Sequence, residues 1–65
     1  MKIRYFPDTD TLYIQFCERT AVESRDIDEN TLIEFSEEGQ LCAMTVEHAR
    51  ERADLPHFSF EQVAA

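Results

Sequence analysis

The sequence predicts an α+β fold: an antiparallel β-meander of four to five strands followed by one or two short C-terminal helices. Three observations carry this. Apolar residues alternate with polar ones across most of residues 1–46, the period of a half-buried strand. Turn-forming clusters, Pro7-Asp8-Thr9-Asp10, Asp28-Glu29-Asn30 and Glu37-Glu38-Gly39-Gln40, punctuate that pattern. After residue 46 the alternation stops, and Glu47-His48-Ala49-Arg50-Glu51-Arg52-Ala53 is composed of good helix formers.

The first strand spans residues 2–6, with Ile3 and Tyr5 on one face and Lys2, Arg4 and Phe6 on the other. Pro7 suits an early turn position, and Asp8 and Asp10 suit side-chain bonding to the turn backbone. Residues 11–17 form the strongest strand: Leu12, Ile14 and Phe16 face one side, Tyr13, Gln15 and Cys17 the other. Residues 21–28 form a weaker strand. Val22 and Ile27 differ in parity there, which predicts a bulge or break between them. The charges of Glu23, Arg25 and Asp26 mark it as an edge strand, because charge blocks unwanted pairing.

Residues 31–36 follow, with Ile33 and Phe35 inward and Glu34 outward. Gly39, the single glycine, falls where a hairpin loop takes a left-handed residue. In the last strand, residues 41–46, Cys42, Met44 and Val46 share one face and Leu41, Ala43 and Thr45 the other. A helix is expected over residues 47–53 and must end before Pro56. Ser59 and Gln62 form a capping-box pattern with Phe58 and Val63 at staple positions, which predicts a second helical turn. The whole of residues 1–65 is one domain: a meander over 1–46 and a helical segment over 47–65. The helices are expected to cover one sheet face. The other face, bearing Phe6, Tyr13, Cys17 and Leu41, is expected to pair with a second copy.

Size supports that expectation. A domain of 65 residues buries only about 60% of the surface of its unfolded chain, and its core supplies about 3–5 kcal/mol. Two cysteines, Cys17 and Cys42, are too few for a disulfide scaffold. Association is the remaining way to complete the core, so a homodimer or a hetero-complex is expected.

The formal net charge is −8, from 14 acidic and 6 basic residues. Binding a nucleic acid requires cations to displace its counterions, which argues against DNA or RNA. The charge suits a basic protein partner. There is no secretory leader pattern and no apolar run of about 18 residues, so the expected location is the cytoplasm, away from membranes, with reduced thiols.

Candidate chemistry is sparse. Asp8 and Asp10 could pair as carboxylates, but turn capping accounts for them. Glu23, Asp26, Asp28 and Glu29 could bind a cation, but they match no calcium-loop spacing. His48 and His57 with Cys17 or Cys42 lack zinc-ligand spacing. A Cys42–His48 nucleophile pair lacks an oxyanion hole, and one glycine cannot build a phosphate loop. The expectation is no enzyme, no metal and no cofactor. Leu55, Phe58 and Phe60 interrupt an acidic end and either cover the sheet or anchor a partner.

Residues 1–50 resemble the small bacterial proteins grouped as domain of unknown function 2283. That pattern opens M-K-I-x-Y-D-x-x-x-D-x-L-Y-I, matched here by Met1, Lys2, Ile3, Tyr5, Asp10, Leu12, Tyr13 and Ile14, with Phe6-Pro7 where Asp-Pro is usual. Glu23-Ser24 matches its Glu-Ser pair, and residues 41–49 its closing G-I-E-I-L-x-A stretch, with Ala43 in place of the glycine and Thr45 in place of the acid. The pattern ends before Asp54. The resemblance implies no established activity. It implies partnership with small toxin-like proteins of an RNase-type fold, and hence an antitoxin role.

The function expected is therefore a non-enzymatic protein-interaction module, in concrete form an antitoxin-like neutraliser of a small basic RNase-type partner. Its partner-binding residues would be Glu23, Asp26, Asp28, Glu37 and Glu38, with Phe58 and Phe60 as anchors. The alternative is a structural homodimer or assembly subunit. A minimal metal protein or enzyme is the third reading.

Overall fold

The structure is a computed structural model and describes residues 1–64. Ala65, the last residue of the expected helical segment, lies outside the described residues. Five strands form one antiparallel sheet: β1 (Lys2–Phe6), β2 (Thr11–Gln15), β3 (Ala21–Asp28), β4 (Thr31–Ser36) and β5 (Leu41–Glu47). β2 stops two residues before its expected end, and β5 runs one residue beyond its own.

The class differs from the α+β expectation: among the described residues the protein is all-β, and its only helical element is a 3-10 turn, Ala49–Glu51. The helix expected over residues 47–53 does not form, for two reasons visible in the backbone. Glu47 is held in the sheet, its N–H donating to Asn30 O at 2.7 Å. His48 then adopts a left-handed conformation, φ 53°, which a right-handed helix cannot contain. The second expected helix, from Ser59, is irregular chain. A segment of about six residues cannot offset the cost of nucleating a helix without packing, and Phe60 is 80% exposed.

The strand order also departs from a meander. It is β1-β2-β5-β4-β3, so β5 inserts between β2 and β4. β3, β4 and β5 are joined by successive hairpins, and β2 returns to lie beside β5, a Greek-key order. Residues 16–20 carry the crossover from β2 to β3 past the ends of β5 and β4. Three strand spacings, about 14 Å, lie within the reach of five extended residues. Composition explains the order. The charged β3 and the cationic β1 take the edges, and the apolar or small-residue strands β2, β5 and β4 take the centre.

Register defines two unlike faces. Ile3, Ile14, Met44, Ile33 and Arg25 form one cross-strand row, and Tyr5, Leu12, Val46 and Thr31 the next. Leu41 and Phe35 pair on the same side. The opposite face carries Arg4, Tyr13, Thr45, Leu32 and Asp26, then Lys2, Gln15, Ala43, Glu34 and Ser24. The first face is apolar and the second polar.

Irregularities adjust this pattern. In β3 the register shifts between Ala21 and Glu23 and between Asp26 and Asp28, so Val22 and Ile27 are the bulged residues of an edge strand. A further shift between Glu34 and Phe35 leaves Cys42 as an extra residue at the start of β5. Gly39 takes φ +83° in the β4–β5 hairpin.

Among the described residues no helix or second sheet covers this one. Among the described residues the buried apolar ones are Cys42, Ala43 and Ala49, and no large side chain is fully buried. On the apolar face Thr31 is buried, Tyr5, Leu12, Ile14, Ile33, Phe35, Met44 and Val46 are partly exposed, and Ile3 and Leu41 are exposed. Residues 53–58 lean over the β1–β2 side of this face and enclose a groove of about 270 Å³ among Ile3, Tyr5, Leu12, Ile14, Leu55 and Phe58. No helix among the described residues is long and apolar enough to cross a membrane.

Candidate interaction surface

The sheet has two ends. At one lie the β1–β2 turn, the β3–β4 turn and the segment after β5; at the other lie the crossover and the β4–β5 hairpin. The first end is held by two latches that reach out from the 3-10 turn. Asp10, itself left-handed at φ 55°, accepts the Tyr5 hydroxyl at 2.6 Å and the Arg50 backbone N–H at 3.1 Å, both on Oδ1. Arg50 Nε approaches the same oxygen at 3.4 Å, and its guanidinium lies 5.9 Å from the Tyr5 ring centre. The Ala49 N–H donates to Asp10 O at 2.9 Å, and Ala49 is completely buried.

The second latch is bidentate. Arg52 donates to Asp28 Oδ1 at 3.2 Å and Oδ2 at 3.0 Å, and to Thr31 Oγ1 at 2.6 Å. Asp28 also accepts the Asn30 N–H at 2.8 Å. These contacts set the charges. The Tyr5 hydroxyl, with Arg50 behind it, holds the Asp10 carboxyl below the usual range. The Asn30 N–H, then Arg52, does the same for Asp28. Desolvation and the bond to Asp10 push the Tyr5 phenol up. Asp10 and Asp28 are therefore structural anions, and Asp10 has no free role in a carboxylate pair with Asp8.

The acidic residues expected to bind a partner are not gathered into one patch. Glu23 pairs across from Phe35 on the apolar face and is bridged by Arg25 at 2.9 Å. Asp26 lies opposite Leu32 on the polar face. Asp28 is held by Arg52 at the first end of the sheet. Glu37 and Glu38 sit at the far end, where Arg19 reaches Glu38 at 3.4 Å. Among the described residues, Asp26 and Glu37 are the two of these five without an ion pair. Phe58 lines the groove yet is 66% exposed, and Phe60 extends beyond it.

Among the described residues no group of three or more His, Cys, Asp or Glu side chains converges as a metal site. Cys42 lies near the start of β5 and His48 follows its last residue, so about 20 Å of strand separates the suggested nucleophile from its base.

What the structure does assemble is the apolar face itself. The sequence places these residues inward under two helices, and among the described residues those helices do not form, so this face is left partly open. Leu41 joins it: the β5 bulge carries it from the face of Tyr13 to that of Phe35. The missed signal was the shortness of the C-terminal segment against five strands of apolar surface. A sequence model of the family described as protein of unknown function DUF2283 matches residues 2–50. The chain belongs to this family. The DUF2283 match contains all five strands, the Tyr5–Asp10–Arg50 latch and both cysteines, and it stops short of Arg52 and the groove-covering residues 53–58. No curated protein and no solved structure matches the chain.

Proposed function

We propose that this protein is a self-associating interaction module whose apolar sheet face closes against a second copy. The observation that carries the reading is an apolar sheet face that residues 53–58 cover only on its β1–β2 side. A sheet buries one face against another layer in a stable domain, and here that layer is missing. The accessible surface is 5243 Å², against about 4,300 Å² expected for a compact monomer of this mass. The excess, about 900 Å², belongs to the whole chain: the thin sheet and the exposed residues 56–64 together. The radius of gyration, 12.9 Å, likewise exceeds the ~11 Å of a compact chain of this length.

A second copy suits the face better than a strongly charged partner. Its centre, Ile14, Met44 and Ile33, carries no charge, and its β3 rim offers the Glu23–Arg25 pair, which a two-fold axis can match to itself. Arg25 lies 5.0 Å from the Phe35 ring centre and extends the apolar surface rather than interrupting it.

The experiment is sedimentation of the wild type, of Met44→Lys on the apolar face, and of Thr45→Lys on the polar face. Wild type and Thr45→Lys are expected to sediment as dimers, and Met44→Lys as a monomer. A wild type that stays monomeric at 100-micromolar concentrations, on the order of a weak-dimer Kd, would overturn the reading.

A basic partner is the second reading, favoured by the net charge of −8. Salt separates the two. Screening relieves repulsion between acidic copies and tightens a homodimer, whereas it weakens a complex with a cationic protein.

A further inference from the structure

Cys17 and Cys42 lie on different faces if β5 is regular. The bulge that leaves Cys42 without a partner in β4 removes that separation, and the two sulfurs stand 3.7 Å apart. Cys17 lies two residues beyond the end of β2, in irregular chain, and its Sγ also lies 3.8 Å from Leu41 O. Both thiols are free; Cys42 is 2% exposed and Cys17 half-buried. The Phe16 N–H donates to Cys42 O at 2.7 Å and pins the crossover against β5 at this point.

We propose that Cys17 and Cys42 are a redox-responsive dithiol that closes to an intramolecular disulfide when the chain meets a low-molecular-weight disulfide. A disulfide bond is about 2.05 Å long, so the sulfurs must approach by about 1.7 Å. Side-chain rotation in the irregular residues 16–20 supplies that. The Cys17 thiolate attacks one sulfur of the small disulfide, forming a mixed disulfide and releasing one thiolate. Cys42 gives up its proton and attacks the Cys17 sulfur, releasing the second thiolate. Two electrons pass from the protein to the small molecule, which leaves as two thiols. The order follows from access: Cys17 is open to a reagent, whereas burial, then the contact with Cys17, pushes the Cys42 thiol up.

The bond would close a loop running through the crossover, β3, β4 and the β4–β5 hairpin. It would tie the start of the crossover to β5, next to the one strand pairing, β2 with β5, that connects the β1–β2 hairpin to the rest of the sheet. Oxidation thus locks the strand order. It acts near the crossover end of the sheet and does not rest on self-association.

The test is incubation of the full chain with oxidised glutathione, followed by mass spectrometry under alkylating quench and by thermal melting. The expected product is one chain lighter by two hydrogens, with a Cys17–Cys42 linkage and a Tm raised by at least ~10 °C over the reduced form. Cys42→Ala should stop at a glutathione adduct on Cys17, and Cys17→Ser should leave Cys42 at least about tenfold less reactive. Wild type that stops at the mixed disulfide, or that links only between chains, overturns the pair. An oxidised chain that melts no higher overturns the locking role.

Discussion

The Tyr5 hydroxyl donates a 2.6 Å hydrogen bond to Asp10 Oδ1, and through that oxygen the first hairpin is tied to the segment after the last strand. Arg50 completes the contact on both partners, by its backbone N–H to Asp10 and its guanidinium near the Tyr5 ring. The three groups should act as a unit. Tyr5→Phe and Asp10→Asn are each expected to lower Tm, and the double variant to melt well above the additive expectation, because either change breaks the same bond. A double-mutant cycle by thermal melting measures this; strict additivity would show that the latch does not couple.

Acid should weaken the fold in a defined window. The carboxyls of Asp10, Asp28 and Glu38 are all held below their usual values: by Tyr5 for Asp10, by the Asn30 N–H for Asp28, and by the residue's own N–H, then Ser36, for Glu38. A depressed folded pKa stabilises the fold above the unfolded value, near 4, and that stabilisation disappears as pH falls through the folded value. Tm is therefore expected to hold from neutrality to about pH 4 and to fall below it. Asp10→Asn and Asp28→Asn should each start lower at neutrality and lose less in acid. A wild type whose Tm is flat down to pH 2, below all three usual values, would contradict this.

Gly39 turns the β4–β5 hairpin at φ +83°, with no atom within 4 Å of where a Cβ would stand. The cost of Gly39→Ala is therefore conformational rather than steric, about 1 kcal/mol. Urea denaturation should show a lower midpoint with an unchanged slope. A changed slope would mean that the hairpin itself had rearranged.

The tail divides at Phe58. Leu55 is half-buried over the sheet, whereas Phe60 and Val63 are mostly exposed. Leu55→Ala should destabilise the fold, and Phe60→Ala should change stability by less than about 0.5 kcal/mol. If Phe60→Ala instead lowers Tm in a concentration-dependent way, the aromatic belongs to the interface between copies.

Much of this molecule was legible locally. The ranges of β1, β3 and β4 are those expected, Gly39 sits left-handed in its hairpin, and β3 is an edge strand; but the irregularity expected between Val22 and Ile27 falls at those two residues, and the pairing between them is regular. These are properties of neighbouring residues and the turn chemistry between them. The latch residue Asp10 was legible as a turn former, but not as the acceptor of a side chain and an amide from opposite ends of the sequence.

The amino-acid order by itself determined that there are five strands, where each begins, and that β3 is too charged for the centre of a sheet. The tertiary structure decided that β5 lies beside β2, that the apolar face is covered only on its β1–β2 side, and that Cys17 meets Cys42. The reason is range. A side-chain pattern repeats every two residues and can be read in a short window, whereas pairing order and a one-residue bulge depend on how distant strands compete for the same neighbour.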